Sequence, residues 1–522
     1  MKINNKIIIL AMLVMMIACV SAVSATDIES ADNVTDVIEV DEVTDVVEED
    51  VIDDVSEDVV EEQSSVASTN EVTVNIDNYQ DYFNSTTGYL TTSDDLKFVG
   101  TFENVSFDNF VINQNVGLTF NNVLFKNVGF KLLANNLTLS GANFYGDASS
   151  SNGASIYVNA ANVEVSDNTF ELIAPEGQDF YAINVLNANN AKLLENIIYY
   201  DVPTANAGNY NHVVRIVGSN NVKMNHNAIV SQLPIKAVDF SKPFPSIYTD
   251  LVAAVAVQSS NNFTLTNNDI SANVSNIAGG YPTLDAVIIV DSNKTYIYNN
   301  TITETDELTD ENDVNYLYAI DIYSCFDLVI DDNTIELISG GGITQPKGLG
   351  AAYCIQLTGP YTATISNNDL TSSNNGPNAG IYSQNYYGVT NVTIVNNTID
   401  VYGKASDNSW AVVTGMELQD TYATIIGNEI TVTNNGDYGN NYNIYGISYC
   451  QQTSGSHTYN ITSNTILLDG GHDTIHIMNA INSDIIGNSL LSVYFIDSEE
   501  HVISGNETIY IRGTNNTLRD ND

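Results

Sequence analysis

Few side chains in this chain are placed to do chemistry. Of its fifteen lysines and arginines, two are Lys2 and Lys6 at the start. Arg215, within Val213-Val214-Arg215-Ile216-Val217, is the one that falls inside a strand able to line a groove. His472 and His476 are four apart but belong to an expected strand, so they do not share the helical face on which such a pair would hold zinc. Gly470-Gly471-His472-Asp473 stands alone and reads as a turn. Asp306, Glu307, Asp310, Glu311 and Asp313 form an acidic loop whose oxygens make calcium a possible ligand, since calcium asks only for convergent oxygens. Nucleophilic triads, phosphate loops and dinucleotide fingerprints are absent. The expectation is no catalytic residue, no resident metal and no cofactor other than calcium.

The elements that must position these residues come from an internal repeat: aliphatic, two residues, Asn, one residue, aliphatic. It reads Val165-Ser166-Asp167-Asn168-Thr169-Phe170, Leu265-Thr266-Asn267-Asn268-Asp269-Ile270 and Ile297-Tyr298-Asn299-Asn300-Thr301-Ile302. The repeated asparagines are Asn168, Asn196, Asn227, Asn268, Asn300, Asn333, Asn368, Asn397, Asn428, Asn464, Asn488 and Asn506, at intervals of 18 to 41 residues. Such uneven spacing fits a coil with one fixed turn and another that accepts insertions. Each unit is a short strand, a sharp corner and a second short strand. Asn is expected at the corner because it tolerates left-handed backbone. Its amide, stacked on the copies above and below, would form a ladder that satisfies buried polar groups.

A third strand precedes each unit, as in Tyr318-Ala319-Ile320-Asp321-Ile322 and Tyr353-Cys354-Ile355-Gln356-Leu357, which gives three parallel sheets. Alternation sends Ile320, Ile322, Ile355, Leu357, Ile381, Met416, Leu418, Ile447, Ile475 and Ile477 inward. Asp321, Gln356, Tyr382, Glu417, Ser448 and His476 then form an outward polar column, the candidate binding face. Loops carrying Tyr386, Tyr387, Trp410, Tyr438 and Tyr442 would wall it into a groove. Phe107, Phe125 and Phe144 mark tighter early rungs.

The ends suggest export. Lys2 and Lys6, the apolar run Ile7 to Ile17 and the small residues through Ala25 have the layout of a cleaved signal peptide over 1–25. Residues 26–69 follow as an acidic linker, with seventeen acidic residues and no basic one between Thr26 and Glu62, expected to stay open by self-repulsion. Residues 70–97 are expected to cap the coil, with a short amphipathic helix over Ile76 to Phe83, and 98–522 to form the coil itself. Leu518-Arg519-Asp520-Asn521 begins another strand-and-corner unit, and no spanning apolar segment follows the leader. A net charge of −49 excludes nucleic acid as a partner. Beyond Cys19, the odd set Cys325, Cys354 and Cys450 reads as buried free thiols. Asn-x-Ser/Thr sequons such as Asn84, Asn136, Asn262 and Asn391 make glycosylation an expectation.

The strand, Asn corner, strand unit resembles the parallel β-helix repeats of the pectate-lyase-like superfamily. The acidic leader, the Asn/Thr-rich coil and the opening Ile76-Asp77-Asn78-Tyr79-Gln80-Asp81-Tyr82-Phe83 resemble the adhesin-like surface proteins of methanogenic archaea. The resemblance implies an all-β right-handed parallel β-helix on the cell surface or outside the cell. Its expected role is adhesion or surface structure, with surface glycans or another cell's surface as partner. The alternative is a polysaccharide lyase or glycoside hydrolase with an unrecognised site, yet the family motifs Asn-Thr-Asp, Gly-Asp-Asp, Gly-His-Gly and Arg-Ile-Lys do not occur.

Overall fold

The structure is a computed structural model. It describes residues 70–147, 155–175, 180–202, 212–237, 252–278, 282–306, 316–342, 351–384, 390–403, 412–419, 421–434, 444–449, 457–469, 473–494, 504–505 and 509–522. The expected signal peptide and acidic linker lie outside these residues, as do Cys450, His472, Asn506 and the tyrosine- and tryptophan-bearing loops.

The coil is a right-handed parallel β-helix of three sheets. The first sheet includes His212–Val217, Val252–Gln258, Pro282–Val290, Tyr316–Tyr323, Ala351–Thr358, Asn378–Gln384, Val413–Leu418, Ile444–Tyr449 and Asp473–Ile481. The second is the thirteen-stranded run of short strands from Thr138–Ser140 to Thr517–Arg519. The third carries the strand after each corner, such as Thr301–Asp306 and Thr398–Gly403. Neighbouring rungs pair parallel with matched register, for example Ile297 with Ile330 and Ile302 with Ile335. An antiparallel contact between Lys236–Ala237 and Pro282–Thr283 ties the third sheet to the first. Alternation puts aliphatic side chains of all three sheets into one continuous core.

The corner between the second and third sheets holds the ladder. Each amide nitrogen from Asn168 to Asn488 donates to the Oδ1 of the Asn one rung on, at 2.9 to 3.0 Å. The same oxygen accepts from the backbone N–H of the Asn below, as when Asn300 N–H donates to Asn333 Oδ1 at 3.0 Å. The last member corrects the expectation: Asn488 pairs with Asn521 at 2.9 Å, so Asn521 holds the place given to Asn506. The short segment Ser504–Gly505 pairs antiparallel with Val493–Tyr494 and belongs to an excursion between rungs, which is why the repeat falls out of spacing there.

A second correction concerns backbone shape. The left-handed residue is the one before each ladder Asn: Asp167, Glu195, His226, Asn267, Asn299, Asp332, Asn367, Asn396, Ser463 and Asp520, with Gly427 and Gly487 in the same role. The ladder asparagines from Asn168 to Asn488 are themselves buried and are kept for their amides.

The first rungs are aromatic. Phe102, Phe125, Phe144 and Phe170 stack face to face at 5.1, 5.4 and 4.9 Å, with Phe107 beside this column and not in it. Ahead of them, Glu71–Val74 pairs with the strand Asp95–Phe102, and the helix expected over Ile76 to Phe83 is a single turn, Tyr79–Tyr82.

Candidate functional site

The expected polar column is in register. Asp321 pairs with Gln356, Gln356 with Tyr382, Tyr382 with Glu417, Glu417 with Ser448 and Ser448 with His476, one residue per rung along the outer face of the first sheet. It is not an open column. Asp321, Gln356, Tyr382, Glu417 and Ser448 are 0, 6, 8, 9 and 5 % exposed, and only His476 is half-buried. Alternation along a strand gives direction, but not what lies over the sheet.

The buried column is hydrogen-bonded within itself and to its neighbours. Gln356 Nε2 donates to Tyr323 Oη at 3.1 Å. Gln419 Nε2 donates both to Glu417 Oε1 at 2.8 Å and to Tyr382 Oη at 3.1 Å. Burial raises the Glu417 carboxyl above its ordinary range, and the Gln419 bond opposes that shift. Ser448 Oγ donates to the Met416 carbonyl at 3.3 Å, and the His476 ring lies 5.1 Å from that of Tyr445.

Beside the column runs a row that alternation did not reveal. Asp285, Tyr318, Tyr353 and Ala379 align rung to rung, three positions before the polar column. Between the two rows the strands bend at Ala286, Ala319, Cys354, Gly380 and Gly415, positions that no ladder pair includes. Gly380 and Gly415 face the third sheet so closely that an added Cβ would meet the Ile399 and Ile430 methyls at 2.3 Å. Small side chains thus let the strand bend, and the bend brings both rows to one outer face. There the Tyr318 and Tyr353 rings stack at 5.6 Å, and those of Tyr353 and Tyr382 at 4.4 Å and 6°. Tyr318 and Tyr353 are half-buried, so one edge of the stack reaches solvent.

At the head of this stack are three carboxylates. Asp285 and Asp321 come from adjacent rungs of the first sheet, and Glu304 from the third, where it takes a core-facing place between Ala272 and Leu337. All three have no exposed surface, and none of their six carboxyl oxygens has a hydrogen-bond partner. Burial raises each well above the carboxylate range, and repulsion by neighbouring carboxyls adds to it for Asp285 and Glu304. Tyr323, Gln356 and the Ile322 amide lean towards Asp321, and the Ala286 and Tyr318 backbones towards Glu304, and partly offset this.

Arg215 stands three rungs away on the same face, its guanidinium 5.5 Å from the Tyr181 ring. With His212, Ala256 and Ile288 it lines a depression of about 10 Å³, room for a single water and no sugar. Among the described residues no three His, Cys, Asp or Glu side chains are arranged to hold a metal ion. Of the acidic loop proposed for calcium, Asp306 is buried and Glu307, Asp310, Glu311 and Asp313 lie outside the described residues.

A second amide ladder was also missed. At the corner before the second sheet, Asn162, Asn190, Asn221 and Asn262 are left-handed, and each donates its side-chain amide to the copy on the rung before at 2.8 to 2.9 Å. Its signal was a fixed offset, since each lies six residues before a member of the first ladder.

No protein-family model and no curated protein matches this chain. Seven solved chains match it, among them these two. One is the A-module of the mannuronan C-5 epimerase AlgE6 of Azotobacter vinelandii, 11% identical, covering 76% of this chain and 89% of that one, with a TM-score of 0.25. The other is PfbA, a surface adhesin of Streptococcus pneumoniae, 13% identical, covering 82% and 90%, with a TM-score of 0.31. Neither likeness bears on what this chain binds. Among the described residues no helix is long and apolar enough to cross a membrane.

Proposed function

We propose that this chain is an exported β-helix protein of adhesion or surface structure that holds glycan along the outer face of its first sheet. The observation that supports this is the Tyr318, Tyr353, Tyr382 stack, with rings 5.6 and 4.4 Å apart and amide and carboxyl groups of Gln356, Glu417 and Gln419 beside it. Sugar rings pack on aromatic faces and take their specificity from a few fixed polar groups. The half-buried Tyr318 and Tyr353 would make the contact, and the buried polar column would fix their orientation. Hydrolysis at the head of the stack would need a carboxylate that the sugar can touch, whereas Asp285, Glu304 and Asp321 have no exposed surface, and this favours binding over hydrolysis there.

The test pairs two double variants. Tyr318→Ala with Tyr353→Ala is compared on a glycan array and on whole cells with Tyr296→Ala and Tyr298→Ala, a stacked pair at 5.8 Å on the second sheet. Binding should fall at least about tenfold in the first alone, as the loss of one or two stacking contacts would give. Equal binding by both variants, with intact folding, would remove the face from consideration.

A further inference from the structure

A folded chain does not keep three charged carboxylates together, out of water and without a hydrogen bond. Either a cation or protons must neutralise them. The oxygens of Asp285, Glu304 and Asp321 are arranged around no common metal position. No described lysine or arginine pairs with them; the ion pairs between described residues include Lys97 to Glu71, Lys126 to Glu103 and Lys192 to Glu164, all on earlier rungs. Among the described residues, the groups packed around the cluster supply no positive charge either. From the third sheet comes Asp306, and from the next rung of the first sheet Tyr316, Tyr318 and Tyr323. The rung beyond brings Tyr353, Cys354 and Gln356. The strand before Pro282–Val290 offers Ala253 opposite Asp285, and the nearest bases in register, His212 and Arg215, stand two and three rungs off.

We propose that Asp285, Glu304 and Asp321 are a proton-held lock, which keeps the middle rungs closed in acid and loosens them as the medium turns alkaline. The device does not depend on what the tyrosine face binds, although Asp285 and Tyr318 are partners in one row and a loosened lock would disturb that face first.

The sign follows from linkage. The closed state holds protons that the loosened state, with carboxyls near their ordinary values of 3.8 and 4.5, releases. Stability from the lock is therefore fully present below about pH 4 and is lost as pH rises through the raised values. Each unit of pKa difference is worth about tenfold in the opening equilibrium.

The experiment is amide hydrogen exchange on the full chain between pH 4 and 9, corrected for intrinsic exchange. Strands Pro282–Val290 and Tyr316–Tyr323 are read against Thr398–Gly403 and Glu429–Asn434 as internal references. In the native chain, protection of the first pair should fall at least about tenfold more than that of the references. In Asp285→Asn, Glu304→Gln, Asp321→Asn the excess should vanish, while in Glu171→Gln, Glu336→Gln, Asp484→Asn, three exposed carboxyls, it should remain. An excess equal in all three proteins overturns the proposal. An excess abolished by millimolar calcium or magnesium also overturns it, by assigning the cluster to a cation. If the amide variant does not fold, infrared spectroscopy of the native chain decides: carboxylic acid bands at neutral pH that resist exchange support the lock, and their absence overturns it.

Discussion

Asn299 and Asn300 are neighbours in one corner with opposite duties. Asn299 is exposed and carries the left-handed backbone, at φ +52°, while Asn300 is buried and donates its amide to Asn333 at 2.9 Å and to the Leu265 carbonyl at 2.9 Å. Asn300 Oδ1 also accepts from both the backbone and the side chain of Asn268, at 2.9 and 3.0 Å. Asn300→Leu leaves those groups unpaired and should cost about 1 to 3 kcal/mol. Asn299→Gly should stay within about 1 kcal/mol of the parent, because glycine enters this conformation freely. Chemical denaturation of the two variants checks the contrast, and equal losses would show the corner, not the ladder, to be what matters.

The bend between the two outer rows sets a size limit. A Cβ at Gly415 would lie 2.3 Å from the Ile430 Cγ2 and 2.7 Å from the Gly446 carbonyl oxygen, and the latter cannot swing away. Gly415→Ala should therefore destabilise by roughly 1 to 3 kcal/mol, as overpacking does. Gly100→Ala, at an open site with φ +83°, should cost only its backbone strain of roughly 1 to 2 kcal/mol. Thermal melts that show Gly415→Ala harmless would mean that the third sheet yields more than its packing implies.

What the repeat made legible was whatever recurs on every rung. The aliphatic, x, x, Asn, x, aliphatic unit carries strand, corner and strand, so the three sheets and the run of amides from Asn168 to Asn488 could be read directly. The left-handed residue could not, because facing solvent leaves it free to be Asp, Glu, His, Ser, Gly or Asn, and such a position shows no pattern. Burial of Asp321, Gln356 and Tyr382 was hidden for another reason: alternation along a strand sets which way a side chain points, not what lies over the sheet. Glu304 did leave a trace. It stands where the neighbouring rungs have Ala272 and Leu337, and a charge in an apolar place of a repeat marks either a site or a strain.

Cys325 and Cys354 should be silent in the folded chain. Burial pushes the Cys325 thiol up to about 12 and raises that of Cys354 as well. At pH 8 the thiolate of Cys325 would be on the order of one part in ten thousand, and the thiolate is the form that reacts. Titration with a thiol reagent should therefore leave both unmodified in the native chain and modify both after unfolding, read residue by residue by mass spectrometry. Rapid native labelling of Cys354 would mean that the bend opens on its own.

The clearest energetic test of the buried charge replaces it with what the repeat asks for. Glu304 shares its register position with Leu337 on the next rung, and its two carboxyl oxygens have no partner to lose. In Glu304→Leu the new side chain stands in register with Ala272 and Leu337, and the desolvation cost of the carboxyl disappears. Replacing a buried charge by a packed apolar group of similar size is often worth about 1 to 4 kcal/mol. The variant should thus be more stable than the parent, against the usual direction for a substitution in a core. Because the parent's carboxyl is tolerated when protonated and penalised when charged, the gain should be small near pH 4 and grow towards pH 8. Denaturant melts at the two pH values measure it. A variant less stable than the parent at pH 8 would mean that Glu304 has a partner which these contacts do not include.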